Sequence, residues 1–107
     1  MPSEEIHNIA VLVPQDDKMG DLLEAFGKLS RYVQLHDSET LVYYAIEHTG
    51  QNELVIVEKY ANESAFKRHA QSEALNEFVK AISGILQTPP VIKPSIFSVG
   101  FEVRPQA

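Results

Sequence analysis

The stretch Ile9-Ala10-Val11-Leu12-Val13 decides the fold of this chain, together with Leu54-Val55-Ile56-Val57. A strand alternates its side chains between the two faces of a sheet, so an unbroken apolar run predicts a strand that is covered on both faces. The rest of the sequence predicts only two helices, which cover one face. The other face would expose apolar side chains to water, which monomeric soluble proteins rarely do on a large scale. We therefore expect a second copy of the chain to cover it.

Length and composition limit the possible classes of protein. The chain of 107 residues predicts a single domain over residues 1–107, with its core at about residues 6–103. Nine Lys and Arg against 15 Asp and Glu give a formal net charge of −6, which opposes binding to nucleic acids and to anionic membranes. The absence of cysteine excludes disulfides, thiolate metal sites and cysteine nucleophiles. No signal peptide or membrane span is predicted, so we expect a cytoplasmic protein.

The first strand and the first helix are predicted from the N-terminal third of the sequence. The strand runs from Ile6 to Val13 and stops at Pro14, which cannot donate to a sheet ladder. Asp16 and Asp17 are candidate N-caps for the helix that follows. That helix extends to about His36, because apolar residues recur at three- and four-residue spacing at Met19, Leu22, Leu23, Phe26, Leu29 and Val33.

A hairpin and a second helix are predicted next. The segments Thr40 to His48 and Leu54 to Tyr60 are rich in aromatic and β-branched residues and are separated by a polar turn. Asn62 is a candidate cap for the second helix, which we expect to be capped again at Ser72. The later apolar stripe of this helix consists of Leu75, Phe78, Val79 and Ile82.

The last predicted strand lies beyond Pro94, where Phe97, Val99, Phe101 and Val103 alternate with polar residues and glycine. The element order is then β-α-β-β-α-β. Right-handed crossovers and an adjacent middle hairpin give an antiparallel sheet of order 4-1-3-2, with the two doubly apolar strands in the centre. The sequence thus predicts an α+β, ferredoxin-like sandwich with both helices on one face.

The predicted fold hosts unrelated functions, so function must be argued from particular residues. An RNA-recognition module would carry a basic, aromatic sequence on the third strand, where this chain has Leu54-Val55-Ile56-Val57-Glu58-Lys59-Tyr60. The histidines His7, His36, His48 and His69 do not show the compact spacing of a metal site. We expect neither a nucleic-acid partner nor a metal cofactor.

The segment Glu58 to His69 has an acidic-x-aromatic strand end followed by an Ala-Phe-x-x-His helix, and Glu39 to Tyr44 lies on the second predicted strand. Together these two segments resemble the antibiotic biosynthesis monooxygenase family. The resemblance spans about Ile6 to Val103. It implies a dimeric α/β barrel with a ligand pocket between sheet and helices in each subunit. Some members oxidise quinol or anthrone-like aromatics with dioxygen and without metal or flavin. Others process signalling molecules, degrade haem or have no established activity.

This chain departs from the haem-degrading branch of that family, which uses a tryptophan and a histidine on the second helix. The chain has no tryptophan, and His69 stands where the tryptophan would fall. Val79 lies near the expected position of the histidine, so haem degradation is disfavoured. Tyr60 stands where several oxygenase members place a tryptophan at the strand end.

His69 is the candidate general base. It lies three residues after Phe66 on the predicted helix, so both side chains point to the same interior. An imidazole titrates near neutrality and could take a proton from a bound phenol, which leaves an electron-rich anion that can react with dioxygen. The alternative is a structural histidine bonded to a carboxylate or a backbone carbonyl.

Candidate substrate-binding residues are Tyr43, Tyr60, Phe66 and Glu58. Glu58 shares a strand face with Tyr60 and could orient His69 or bind a substrate hydroxyl. It could also pair with Lys or Arg across a dimer interface, and this second interpretation is the one we favour. Asn8 stands near the start of a strand, where a polar residue usually marks a solvated edge.

The sequence therefore predicts a homodimer, formed through the open sheet face, with dioxygen as co-substrate and a small aromatic or quinol-like substrate. One alternative is a non-catalytic dimeric protein that binds a small ligand or responds to stress. Another is an isomerase or lyase of a small carbonyl metabolite. A deep pocket that reaches His69 would favour ligand binding over simple packing.

Overall fold

The computed structural model describes residues 4–104 of the chain, which contain four strands and three helices. In chain order they are β1 (Ile6–Leu12), α1 (Met19–His36), β2 (Thr40–Glu47), β3 (Leu54–Tyr60), α2 (Glu63–Ala70), α3 (Glu73–Ile82) and β4 (Val91–Ser95). Among these helices, none combines the length and hydrophobicity that a bilayer crossing needs.

The strands form one antiparallel sheet of order β2-β3-β1-β4, which is the predicted order 4-1-3-2. The two doubly apolar strands, β1 and β3, are central and pair with Ala10 opposite Ile56. The predicted ferredoxin-like α+β fold is therefore confirmed. The apolar pattern marks β1 and β3 as the strands that are apolar on both faces. The connection rules independently place the same two strands in the centre of the sheet.

The hydrophobic core lies between one face of the sheet and the helices. Strand alternation turns Ala10, Leu12, Leu54 and Ile56 toward this core, where each is at most 4% exposed. The helices contribute the apolar stripes that their three- and four-residue spacing predicts. These are Leu22, Phe26, Leu29 and Val33 of α1 and Phe78 and Ile82 of α3.

The opposite face of the sheet is covered by no element among residues 4–104. Ile9 and Val57 are paired there and are half-buried, as are Val11 and Val55. On β2 the same face carries Tyr44 and Ile46, which are 49% and 52% exposed. An open apolar sheet face, as the two apolar runs predict, is therefore present.

The predicted helix caps are confirmed in the second half of the chain and wrong in the first. Asn62 accepts a hydrogen bond from the Ala65 amide at 2.9 Å, and Ser72 accepts one from the Leu75 amide at 3.2 Å. The cap at Ser72 divides the predicted second helix into α2 and α3. Before α1, neither predicted aspartate is the cap.

Lys18 is the N-cap of α1 and makes no side-chain capping bond, so the expectation that Asp16 or Asp17 caps this helix is wrong. Asp17 has a φ of 67°, a left-handed conformation that Asp tolerates in turns. The backbone amide of Lys18 donates to the Gln15 carbonyl at 3.0 Å. Asp16 and Asp17 therefore belong to the tight turn that precedes the helix.

The last strand is not where the alternation predicts it. β4 is Val91–Ser95, and Phe97 to Val103 lies outside any strand. β4 runs antiparallel to β1, and its last residue, Ser95, pairs with His7 near the start of β1. The chain that follows Ser95 therefore extends past the end of β1. No strand among the described residues is left to pair with it. Pro94 is tolerated within β4 because an edge strand leaves one side of its backbone unpaired.

Leu22→Ala should lower the free energy of unfolding by about 2–5 kcal/mol, since Leu22 is fully buried and its truncation leaves a cavity. Leu35→Ala is the matched control on the same helix, because Leu35 is 72% exposed, and should change stability by no more than about 0.5 kcal/mol. Urea unfolding followed by circular dichroism measures both. Equal losses in the two variants would contradict this packing of α1.

Candidate functional site

A cavity of about 380 Å³ lies between the sheet and the short helices. This volume is at the lower end of the range of about 300–1,000 Å³ that is typical of small-molecule sites. The sheet provides Asn8, Ala10, Leu12, Tyr43, Ile56, Glu58 and Ile92, and the helices and the segment before β4 provide Phe66, His69, Ala70, Leu75, Phe78, Val79, Ile82 and Pro90. The cavity is therefore mostly apolar and holds few polar groups.

The mouth of the cavity and its polar groups belong to different parts of its lining. Val79 of α3 and Ile92 of β4 are each 52% exposed, which places the opening between these two elements. Within residues 4–104 the buried polar or charged residues are Asn8, Glu58 and His69, each at most 6% exposed, and all three line the cavity. A ligand would thus pass an apolar entrance before it meets polar atoms.

The short helix α2 holds His69 over the sheet. Its N-cap, Asn62, fixes the start of the helix, and the Phe66 ring packs against Tyr60 at 5.2 Å between ring centroids. The backbone carbonyl of His69 accepts hydrogen bonds from the Ser72 hydroxyl at 2.8 Å and the Ser72 amide at 3.1 Å. Because both ends of α2 are fixed, the direction of the His69 side chain is fixed too.

Tyr43 of β2 and His69 form a hydrogen-bonded pair in the cavity wall, with 3.1 Å between the hydroxyl oxygen and Nε2. Burial lowers the pKa of His69, and the opposing effect of Asp37 is smaller. Burial, with the charge of Glu58, raises the pKa of Tyr43 well above its ordinary value. At neutral pH the pair therefore consists of a neutral imidazole and a protonated phenol.

Glu58 and Tyr60 form the second polar contact of the site. The Tyr60 hydroxyl donates to Glu58 Oε1 at 2.5 Å, and Tyr60 is fully buried. Burial raises the pKa of the Glu58 carboxyl, although hydrogen bonds from Tyr60 and from the Asn8 amide act in the opposite direction. Burial and the Glu58 charge also raise the pKa of Tyr60. The carboxyl is thus held in an environment that disfavours its charge.

Four of the five residues proposed from the sequence meet in this cavity: His69, Tyr43, Phe66 and Glu58. Tyr60 lies behind them and reaches the cavity through its bond to Glu58. The interpretation of Glu58 as a dimer-interface residue is wrong. Glu58 has the same strand parity as the core residues Leu54 and Ile56 and faces the helices, whereas the open face carries its neighbours Val57 and Lys59.

Asn8 is the site residue that sequence reasoning missed. The expectation of a solvated strand edge is wrong, because β1 lies between β3 and β4 with helices over one face, and Asn8 is 4% exposed. A signal was present in the sequence. Asn8 has the same strand parity as Ala10 and Leu12, so it faces the core side that these residues occupy.

The other histidines lie outside the cavity. His48 Nδ1 is 3.1 Å from Glu53 Oε1 in an exposed pair, and His36 packs on Tyr32 at 4.6 Å between ring centroids. Across residues 4–104, no group of three or more His, Asp or Glu side chains is arranged to hold a metal ion.

Glu58→Gln should change the pH dependence of stability in a defined direction. The folded state raises the pKa of Glu58, so its stabilising contribution is complete below the unfolded value of about 4.5 and is lost as pH rises through the folded pKa. Glutamine stays neutral throughout. The free energy of unfolding of Glu58→Gln, relative to wild type, should therefore increase as pH rises from 4.5 to 8.

Urea unfolding at a series of pH values gives this difference, and the titration of His69 is common to both proteins and cancels. Glu24→Gln is the control. Glu24 is exposed on α1, so this variant also loses one carboxylate but leaves the cavity unchanged. Stability curves of wild type and Glu58→Gln that run parallel over this range would contradict the buried, charge-disfavouring site.

The fold of the chain is shared by several solved proteins. One, described as a candidate antibiotic biosynthesis monooxygenase from Caulobacter crescentus, is 22% identical with a TM-score of 0.85, over 91% of this chain and 92% of that one. Rv0793 from Mycobacterium tuberculosis is 17% identical with a TM-score of 0.83, over 92% and 99%. A conserved protein from Methanosarcina mazei is 16% identical with a TM-score of 0.82, over 89% and 94%. At these identities the likeness establishes the fold alone.

The family of the chain is established by sequence. No curated protein matches it. The sequence profile of the antibiotic biosynthesis monooxygenase family, however, matches residues 5–81, which include both members of the Tyr43–His69 pair and both Asn8 and Glu58. The matched region is well over half of the chain. The chain therefore belongs to the antibiotic biosynthesis monooxygenase family.

Proposed function

We propose that this protein is a cofactor-independent monooxygenase that oxidises a small aromatic or quinol-like substrate with dioxygen. The observation that carries the proposal is the buried Tyr43–His69 pair in the wall of a mostly apolar cavity. Such a cavity suits a flat aromatic ring, and the pair supplies a base where the ring would bind. Membership of the family supports the same reaction class.

His69 is the proposed general base, and Tyr43 is the proposed link to the substrate. Nε2 of His69 is bonded to the Tyr43 hydroxyl, so a substrate hydroxyl that reaches Tyr43 can release its proton in two linked transfers. The substrate proton passes to the Tyr43 oxygen while the Tyr43 proton passes to Nε2. The lowered pKa of His69 keeps the imidazole unprotonated and ready to accept at neutral pH.

The proposed oxidation balances with dioxygen as the sole oxidant. Deprotonation makes the ring system electron-rich, and it then transfers electrons to dioxygen. For an anthrone-like substrate, oxidation of one ring CH₂ group to a carbonyl supplies four electrons, which reduce one dioxygen. One oxygen atom is retained in the product carbonyl, and the other leaves as water with the two hydrogens of the CH₂ group.

The remaining candidate residues have supporting roles in this proposal. Phe66 provides an aromatic wall one helical turn from His69. Glu58, held by the Tyr60 hydroxyl, is a hydrogen-bonding partner for a substrate oxygen. Tyr60 itself orients Glu58, because it is fully buried and bonded to that carboxyl.

A second candidate function is binding of the same small ligand without chemistry. The observation that favours it is that His69 already has a hydrogen-bonding partner in the protein, as structural histidines usually do. The cavity reaches His69, so this alternative still requires a ligand. Turnover measurements separate the two.

The open face of the sheet supports a further part of the proposal, a homodimer that closes two sheets into an α/β barrel. Val55 and Val57 of β3 lie at the centre of this face, and Tyr44 and Ile46 extend it along β2. Burial of apolar area contributes about 25 cal/mol per Å², so a few hundred Å² on each copy supplies several kcal/mol before the cost of association. A second copy has a matching apolar face by symmetry.

Val57→Glu should dissociate this dimer, because it places a charge at the centre of the face that the partner would cover. Analytical ultracentrifugation at micromolar concentration should give twice the 12.0 kDa chain mass for wild type and the chain mass for the variant. Leu35→Glu, on an exposed part of α1, is the control and should remain dimeric. A wild-type protein that sediments as a monomer would refute the homodimer.

His69→Ala should lower oxygen uptake by about 10²- to 10⁴-fold with a panel of anthrones and quinols, since it removes the general base. Metal-free protein and an oxygen electrode provide the measurement. His48→Ala is the matched control, because His48 is an exposed histidine that is not part of the cavity lining, and should leave the rate unchanged.

Tyr43→Phe tests the proton link in the same assay and should also lose rate, because Phe cannot pass a proton to Nε2. No turnover across the panel by wild type, or equal turnover in wild type and His69→Ala, would exclude the oxygenase mechanism. Saturable binding of panel compounds without turnover would favour the ligand-binding alternative.

A further inference from the structure

A groove continues the cavity past its mouth. The groove has a volume of about 380 Å³ and lies between α3 and residues 86–90, the segment that leads into β4. Three residues line both the cavity and the groove: Val79, Ile82 and Pro90. Ile82 is 2% exposed and forms a common floor, whereas Val79 and Pro90 are exposed on either side. The two spaces are therefore continuous between Val79 and Pro90.

The outer wall of the groove is held in place by the sheet. The Gln87 backbone amide donates to the carbonyl of Val13 at 2.7 Å, and four residues later Val91 begins β4. Of the three residues between Gln87 and Val91, two are prolines, whose rings fix the backbone angle φ. The groove is therefore formed before any ligand binds.

The groove is apolar beside the cavity and polar at its outer rim. Its apolar wall consists of Val79, Ile82, Leu86, Pro89 and Pro90. The rim consists of Ser83, Gln87 and Thr88, which are exposed. None of the described residues that line the groove is charged. The groove therefore suits an uncharged hydrocarbon group whose far end meets water.

The groove lies at the opposite end of the cavity from the polar pair. Leu12 lines this far end, since its register partner on β3 lies four residues before Glu58. At about 3.3 Å per residue, the two ends are about 13 Å apart along the strand. Leu86 of the groove pairs with Pro14, two residues beyond Leu12. A ring whose hydroxyl meets Tyr43 therefore directs its opposite edge toward the groove.

The volumes of the two spaces assign different parts of a ligand to each. An apolar cavity of about 150 Å³ holds one benzene ring. The inner cavity of about 380 Å³ thus holds two fused rings, and a substituent on the far ring must leave between Val79 and Pro90.

We propose that the groove between α3 and residues 86–90 is a substrate subsite for an uncharged alkyl substituent, carried opposite the reacting hydroxyl of the aromatic substrate. The inference rests on the proposed function, which places that hydroxyl at Tyr43. It adds the shape of the substrate, an aromatic ring system elongated by a hydrocarbon chain. It concerns binding, so it is tested separately from turnover.

Three probes test this subsite: alpha-naphthol, its derivative with a butyl chain para to the hydroxyl, and the ortho isomer of that derivative. The two isomers have the same composition, but only the para chain points away from the hydroxyl. Each methylene removed from water contributes about fourfold to affinity. In NMR titrations of the wild-type protein, the para isomer should bind about tenfold or more tightly than the ortho isomer and than naphthol. Equal affinity of the two isomers, or no binding of either, would overturn the inference.

Intermolecular NOEs locate the chain in the wild-type protein. The terminal methyl group of the para isomer should give NOEs to the methyl groups of Leu86, which lines the groove and not the cavity. NOEs from this methyl group to other parts of the protein alone would overturn the inference without any variant.

Ser83→Trp and Lys80→Trp are a matched pair, since both place the same large side chain at an exposed position near the end of α3. Ser83 lines the groove but not the cavity, so Ser83→Trp should reduce the preference for the para isomer to within about twofold and leave naphthol affinity unchanged. Lys80 lines neither space, so Lys80→Trp should retain the full preference. The NMR spectra report whether each variant is folded. An undiminished preference in folded Ser83→Trp would show that the chain binds elsewhere.

The failure of this inference is distinguishable from the failure of the proposed function. Oxygen turnover without a preference for the para isomer would overturn the subsite alone. A preference for the para isomer that Ser83→Trp removes, without turnover of any panel compound, would overturn the oxygenase proposal alone.

Discussion

The structure depends on one constraint, the one-sided covering of a four-stranded sheet. Three helices pack on the face that carries Ala10, Leu12 and Ile56, and none among residues 4–104 reaches the other. Because side chains alternate along each strand, every apolar residue of the central strands belongs either to the core or to the open face. The core, the cavity and the proposed dimer surface all follow from this division.

The cavity occurs where the covering helices are short. α1 is an 18-residue helix that fills its part of the sheet with large apolar side chains, whereas α2 has 8 residues and α3 has 10. The break between α2 and α3 is fixed by the Ser72 cap, and residues of both helices line the cavity. Space remains beneath it, and His69 and Glu58 are held in that space by hydrogen bonds within the protein. Buried polar groups cost stability, so their concentration here is typical of a functional site.

Sequence reasoning identified part of this site because helical and strand spacing are local. The three-residue interval between Phe66 and His69 predicts a common direction, and both line the cavity. The two-residue interval between Glu58 and Tyr60 likewise predicts a common face, and their side chains are bonded. The contact of Tyr43 with His69 spans 26 positions and could not be derived from spacing. Asn8 was misjudged because a polar residue near the start of a strand is usually solvated, although its two-residue interval from Ala10 predicts the core-facing direction.

The sequence by itself determined the element order, the strand order of the sheet, the caps at Asn62 and Ser72, and the apolar character of both faces of β1 and β3. These properties are encoded in the periodicity of a few neighbouring residues and in general connection rules. Only the tertiary structure decided that Val91–Ser95, and not Phe97 to Val103, pairs with β1. It also decided that Glu58 faces the helices with Asn8 and Tyr43 beside it. The physical reason is that pairing and burial depend on which distant segment reaches a given position, and a local pattern carries no information about that.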